Sequence, residues 1–148
     1  MSDKRVTVVL DQHHDYQFDI DVGGGVPLLR SDEPPPLGEG LGPSPVQLLA
    51  SAVGNCLSDS LLFALRKFKQ SPEPLHCEVT AEIGRNADQR LRVTALHAEL
   101  RLGVPADALE HLERVLQSFE AYCTVTQSVA AAIPITVKVF DAHGAELR

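Results

Sequence analysis

Apolar and polar residues alternate along several stretches of the chain, which is the pattern of half-buried β-strands. HCEVTAEI, residues 76–83, and the segment 91–102 both alternate in this way, and the polar residues 85–88 lie between them. We therefore predict an antiparallel hairpin there. The same reasoning predicts a second hairpin near the start, in which the turn DQHHD joins strands at Val6–Leu10 and Tyr16–Val22.

Other segments carry a helical pattern instead. Ser44 and Pro45 are typical of a helix start, and a long apolar run follows them until Lys69 and Pro72. A second amphipathic helix is predicted after Pro105, with apolar residues three and four positions apart. After a break near Tyr122, a short helix is predicted before Pro134, and a last strand at 135–140. Strands grouped at both ends around helices predict an α+β fold.

Residues 23–44 separate the first hairpin from the long helix and are rich in glycine and proline. Connections of this length without secondary structure are either disordered linkers or functional loops. We favour a loop that lies over a site, because it leads directly into the long helix.

Length, charge and the distribution of apolar residues limit the number of domains, the possible partners and the location of the protein. A chain of 148 residues is the size of one domain, so we predict a single domain over residues 1–148. The net charge of −7 disfavours nucleic acid and anionic lipid as partners. The N-terminus lacks a secretory pattern, which predicts a cytoplasmic protein. The apolar run 48–65 has polar residues at its centre, so we expect a buried helix and no membrane span.

Three cysteines without a Cys-x-x-Cys pair do not predict a disulfide framework. Cys77 falls on the apolar face of a predicted strand and is interpreted as a packing residue. Cys56 shares a helical face with Leu49, yet polar residues surround it, so its spacing leaves both a core and a site role open. Cys123 lies at a predicted helix start, which is expected to favour a thiolate. The six histidines show no ligand spacing, and no metal is expected.

The motif GPSPVQLLASAVGNCL, followed by FEAYCTVTQSV, resembles the OsmC/Ohr family of organic hydroperoxide-reducing proteins, and the loop SDEPPP resembles its OsmC-like branch. The resemblance extends over nearly the whole chain. It implies an intertwined homodimer, with long central helices packed against antiparallel sheets.

The resemblance also implies a chemistry. Cys56 would be the peroxidatic cysteine of a thiol-dependent peroxidase and Cys123 the resolving one, with an organic hydroperoxide as substrate. An external dithiol or a lipoylated protein would reduce the disulfide, and no cofactor or metal is required. The alternative is a non-catalytic member of the family that binds a small apolar ligand or senses oxidants at the dimer interface.

The chain departs from the family pattern at two places. Val46 stands where the hydroperoxide-reducing branch has a glutamate that holds an activating arginine. Arg30, in the loop, is the remaining candidate for that arginine and for substrate binding, with Glu39 as the nearest acid to hold it. The second motif reads Cys-Thr-Val-Thr in place of Cys-Pro-Val-Ser.

Overall fold

A computed structural model describes residues 3–148, so the first two residues of the predicted domain lie outside the described part. The fold is α+β, as predicted, and contains helices and two three-stranded sheets. It divides into two compact units, one ending at Leu48 and one running from Leu49 to Arg148. The prediction of one domain stays a prediction, and the two units are described separately.

The first unit is built on an antiparallel sheet in the order β1-β2-β3. Its strands are β1 (Val9–His14), β2 (Gln17–Asp21) and β3 (Leu29–Ser31). The predicted turn DQHHD is wrong, because its first four residues belong to β1. The strand tolerates them because they are exposed, and the chain reverses at Asp15, whose φ is 51°. β3 lies inside the segment that we expected to be irregular.

The rest of that segment is organised by a buried carboxylate. Asp32 is 2% exposed and accepts hydrogen bonds from the backbone N–H groups of Glu33 at 2.8 Å, Leu41 at 3.1 Å and Glu39 at 3.2 Å. The side-chain amide of Gln17 donates to the same carboxylate at 3.5 Å. Desolvation raises the pKa of Asp32, but these hydrogen bonds outweigh it and hold that pKa below its usual value. The loop is therefore an ordered structure held around an ionised side chain.

The second unit contains most of the helix α1 (Pro45–Lys67) and a sheet in the order β4-β5-β6. β4 (His76–Arg85) and β5 (Leu91–Arg101) form the predicted antiparallel hairpin, and β6 (Ile135–Phe140) lies parallel to β5. Between β5 and β6 the chain forms α2 (Leu112–Ser118) and α3 (Thr124–Ala130).

The second helix was predicted to begin at Pro105, and this predicted start is wrong. Only a short 3₁₀ turn, Ala106–Ala108, follows the proline, and α2 begins at Leu112. His111 has a φ of 61°, a left-handed conformation that a continuous right-handed helix cannot contain.

The start of α1 agrees with the sequence pattern. The Ser44 hydroxyl accepts a hydrogen bond from the N–H of Gln47 at 3.3 Å, while the Gln47 side chain accepts one from the N–H of Ser44 at 2.9 Å. This reciprocal pair is a capping box, and Pro45 occupies the first helical position. The 23 residues of α1 correspond to a rod of about 35 Å.

The core of the second unit lies between one side of α1 and one face of the sheet. Its fully buried members come from α1, from β5 and β6, and from the segment around α2. They include Val53, Leu57, Leu61, Leu65, Leu96, Leu100, Val115, Phe119, Cys123 and Val139. The face of β5 that carries Leu96 and Leu100 is the one predicted from alternation.

By length and composition alone, α1 could cross a membrane, which is weak support for a span because core helices of soluble proteins pass the same test. One side of α1 packs in the core, where Leu57, Leu61 and Leu65 are 0% exposed. Its polar residues Asn55 and Asp59 are exposed and hydrogen-bonded to each other at 2.9 Å. One side of α1 therefore belongs to the core, as predicted, while only 28% of its most apolar stretch is buried within the chain.

Candidate functional site

Cys56 lies in the middle of α1, at the edge of the side that packs in the core. Its side chain is half-buried and contacts the hydrophobic core from the flank. Phe63, two helical turns further on and on the same side of the helix, is 67% exposed. Cys56 therefore has one side against the core and one side that a small molecule can reach.

Cys123 reaches the same region from another part of the chain. A 3₁₀ turn, Phe119–Tyr122, follows α2. Cys123 comes next and is the residue immediately before α3. Phe119 packs in the core, whereas Tyr122 is 79% exposed, so the turn directs the next residue inward. Cys123 is 0% exposed, and its sulfur lies 2.8 Å from the Oγ1 of Thr126.

The structure brings Cys56 and Cys123 together, although 66 residues separate them in the sequence. Cys56 packs against the core cluster that contains Cys123, and it lies close enough to raise the pKa of the Cys123 thiol. Both are free thiols in this structure. Proximity of two thiols is a requirement for a disulfide, so Cys56 and Cys123 are the candidate pair for oxidation.

The surroundings of Cys123 determine the pKa of its thiol. Burial raises the pKa of the Cys123 thiol above its usual value, and the neighbouring Cys56 raises it further, although Thr126 acts in the opposite direction. Cys123 is therefore protonated at neutral pH. The expectation that its position before α3 favours a thiolate is wrong, because the cost of desolvation exceeds the help from that position.

Cys77 is placed apart from this pair, on the side of α1 that faces β4. Its sulfur packs against Gly54, 3.3 Å from where a Cβ at that glycine would lie. Burial raises the pKa of Cys77. The environment is that of a packed and unreactive thiol, in agreement with its interpretation as a packing residue.

Arg30 is on β3 in the first unit. Its guanidinium donates from Nε at 3.0 Å and from Nη2 at 2.8 Å to one carboxylate oxygen of Asp19. Glu39, which we expected to hold it, instead accepts a hydrogen bond from Gln17 at 3.0 Å. The acid that holds Arg30 is therefore Asp19, across the β2–β3 pair. Its role in substrate binding stays a prediction.

Two features of the site were missed by the sequence reasoning. The sequence reasoning gave no role to Thr126, yet its Oγ1 lies 2.8 Å from the Cys123 sulfur; the spacing of three residues at a helix start is a signal that could have indicated this contact. Gly54 lets α1 approach β4 closely, and no sequence pattern announced that contact. Within residues 3–148, no group of three or more His, Cys, Asp or Glu side chains is placed to hold a metal ion.

The family of OsmC-like proteins matches residues 38–138, a range that contains the whole of α1, Cys56 and Cys123. Because the match extends over more than half of the chain, this protein belongs to the OsmC-like family. Among curated protein sequences, none matches the chain significantly.

Solved structures agree on the fold. An OsmC-like protein from Vibrio cholerae has a TM-score of 0.78 at 14% identity, with 93% of this chain and 99% of that chain covered. An OsmC-like protein from Mycoplasma pneumoniae has a TM-score of 0.75 at 16% identity, with 96% and 100% covered. The organic hydroperoxide resistance protein OhrB of Bacillus subtilis has a TM-score of 0.69 at 12% identity, with 92% and 98% covered. At these identities the likeness shows a shared fold.

Proposed function

We propose that this protein is a thiol-dependent peroxidase that reduces organic hydroperoxides with Cys56 as the peroxidatic and Cys123 as the resolving cysteine. The observation that carries this proposal is the proximity of a half-buried Cys56 to a buried Cys123. Membership of the OsmC-like family supports a stress-related redox role, and one neighbour in fold is named for organic hydroperoxide resistance.

The difference in burial supports this assignment of roles. A hydroperoxide can approach the half-buried sulfur of Cys56, whereas Cys123 is 0% exposed. The Cys56 thiolate attacks the terminal, hydrogen-bearing oxygen of the hydroperoxide and becomes a sulfenic acid, and the O–O bond breaks to release the alkoxide, which is protonated to the alcohol. Cys123 then attacks the Cys56 sulfur, and the sulfenic oxygen leaves as water.

The cycle closes when the disulfide is reduced. An external dithiol, free or carried on a lipoylated protein, gives two electrons to the disulfide and is itself oxidised to a disulfide. We propose that this occurs in the cytoplasm, where thiols are kept reduced. Phe63, two helical turns from Cys56 on the same side of α1, is 67% exposed and adds an apolar surface that suits a bulky apolar hydroperoxide.

We also propose that the protein works as a homodimer. The first unit leaves many large apolar side chains about half exposed, which is typical of a surface that another chain covers. They are Val9, Leu10, Val22, Val26, Leu28, Leu29, Leu37 and Leu41, with exposures between 44% and 66%. A second copy of this chain is the partner that the family fold provides.

The proposal is tested by consumption of cumene hydroperoxide in the presence of dihydrolipoamide. Wild-type protein and the control Cys77→Ser should turn over, since the Cys77 sulfur packs against Gly54 and takes no part in the proposed reaction. Cys56→Ser should abolish consumption, and Cys123→Ser should allow one slow oxidation without a protein disulfide. Full activity in Cys56→Ser would refute the assignment.

A second candidate function is a non-catalytic protein that binds an apolar ligand or registers oxidants once. Val46 in place of the family's glutamate and the pairing of Arg30 with Asp19 favour it, because both remove the usual activating arrangement. The same assay separates the two functions. A sensor would be oxidised by one equivalent of hydroperoxide per chain and would not turn over with dihydrolipoamide.

A further inference from the structure

The sulfur of Cys123 is hydrogen-bonded to the side chain of Thr126 and lies near Cys56. Thr126 is 1% exposed and lies in the first turn of α3, with its Oγ1 2.8 Å from the sulfur. A buried hydroxyl without a hydrogen-bond partner is costly, and here the partner is the thiol. The contact therefore fixes the direction of the Cys123 side chain from within its own helix.

We propose that Thr126 is a positioning residue for Cys123, whose hydroxyl holds the sulfur toward Cys56 and stabilises it whenever it carries negative charge. This inference rests on the proposed function for the order of the steps. A hydroxyl suits the task because it accepts a hydrogen bond from a thiol and donates one to a thiolate. Thr126 does both by rotating one O–H bond.

The hydroxyl acts when the disulfide forms. Cys123 attacks the Cys56 sulfenic sulfur with its electron pair, a sulfur–sulfur bond forms, and the sulfur–oxygen bond breaks. The leaving hydroxide takes the Cys123 proton and departs as water. Negative charge grows on the Cys123 sulfur if its proton leaves early, and a hydrogen bond from Thr126 stabilises that charge in a site that burial keeps from water.

The hydroxyl acts again when the disulfide is reduced. The external thiolate reaches Cys56 because Cys123 is buried, so the mixed disulfide forms on Cys56. The bond between the two protein sulfurs breaks, and Cys123 leaves with the electron pair as a thiolate. Disulfide exchange is faster when the leaving thiolate is stabilised. Thr126 is the polar side chain in hydrogen-bonding contact with that sulfur.

Three variants separate this role from simple packing. Thr126→Val keeps the shape and removes the hydroxyl, whereas Thr126→Ser keeps the hydroxyl and removes a methyl group. Thr124→Val makes the same change at an exposed position of the same helix and is the matched control. All three variants also carry Cys77→Ser, so that the measurements follow only Cys56 and Cys123.

The first measurement is the pH dependence of Cys123 alkylation by iodoacetamide in proteins that also carry Cys56→Ser. We expect Thr126→Val to move the midpoint upward by about one pH unit, and Thr126→Ser to restore it, since a hydrogen bond to a charged group is worth about tenfold in equilibrium. Thr124→Val should match the parent. An unshifted midpoint in Thr126→Val would overturn the proposal.

The second measurement is the rate at which dithiothreitol reduces the Cys56–Cys123 disulfide formed with diamide. Thr126→Val should slow it about tenfold, and Thr124→Val should leave it unchanged. Equal rates in the two variants would also overturn the proposal. Neither measurement uses a hydroperoxide. A wild-type protein that fails to react with cumene hydroperoxide would refute the proposed function, while the two measurements would still decide the role of Thr126.

Discussion

Gly54 sets how closely α1 approaches β4, and this leads to a quantitative prediction. A Cβ at this position would lie 2.8 Å from Cγ2 of Val79 and 3.3 Å from the sulfur of Cys77. Ordinary carbon–carbon contacts are about 3.5–4.0 Å, so the helix or the strand must move by nearly 1 Å. Overpacking of this kind costs about 1–3 kcal/mol.

The cost is partly offset by a gain within the helix. Alanine in a helix interior is roughly 1 kcal/mol more favourable than glycine. The sum predicts that Gly54→Ala destabilises the protein by about 0–2 kcal/mol. In a Val79→Ala background the clash with Cγ2 is gone, so the same substitution should stabilise the protein by up to about 1 kcal/mol.

Urea unfolding of the four proteins of this cycle measures the effect, in reducing buffer and at one fixed protein concentration. The two single changes should be non-additive by about 1–3 kcal/mol, with the double variant more stable than their sum. If Gly54→Ala costs the same in both backgrounds, Val79 does not limit the approach of α1. The placement of Cys56 would then depend on other contacts.

Three further predictions concern single groups. Iodoacetamide should label Cys56 well before Cys123 in the reduced protein at every pH between about 7 and 9, because Cys123 is buried and its pKa is raised; equal labelling in a peptide digest would contradict this. Stability should fall as the pH drops below about 4, the ordinary carboxyl range, since Asp32 has a lowered pKa in the folded protein and its contribution is lost when it is protonated. Asp32→Asn should be less stable at neutral pH and less sensitive to acid in thermal unfolding, and an unchanged acid dependence would count against that role. Leu61→Ala should cost about 2–5 kcal/mol in urea unfolding, because Leu61 is 0% exposed in the core; a loss below about 1 kcal/mol would show that α1 is not the core helix described.

The parts of the fold that the sequence predicted are those governed by local chemistry. The alternation of apolar and polar residues predicted β4 and β5. Ser44 and Pro45 predicted the start of α1, because capping depends on residues that are close in the sequence. The C-terminal segment was also predicted to be a strand, but its parallel pairing with β5 was not predicted. That pairing is decided by packing between distant parts of the chain.

The misses have the same physical origin. β3 has three residues, of which only Ser31 is buried, and its pairing with β2 leaves no periodic signal. The start of α2 depends on the left-handed conformation of His111, and a histidine at this position does not predict that conformation. In the candidate site, Cys56 and Cys123 could be singled out from a family resemblance. Their proximity and the burial of Cys123 required the three-dimensional structure.

The most direct test of the proposed two-cysteine peroxidase is the mass of the reduced protein after one equivalent of cumene hydroperoxide, followed by alkylation and peptide mapping. The account predicts the loss of two hydrogen atoms and a disulfide that joins Cys56 to Cys123, while Cys77 remains free to be alkylated under denaturing conditions. Formation of that disulfide should be absent in Cys56→Ser. Three alkylated cysteines after exposure to hydroperoxide, or a disulfide that includes Cys77, would contradict it.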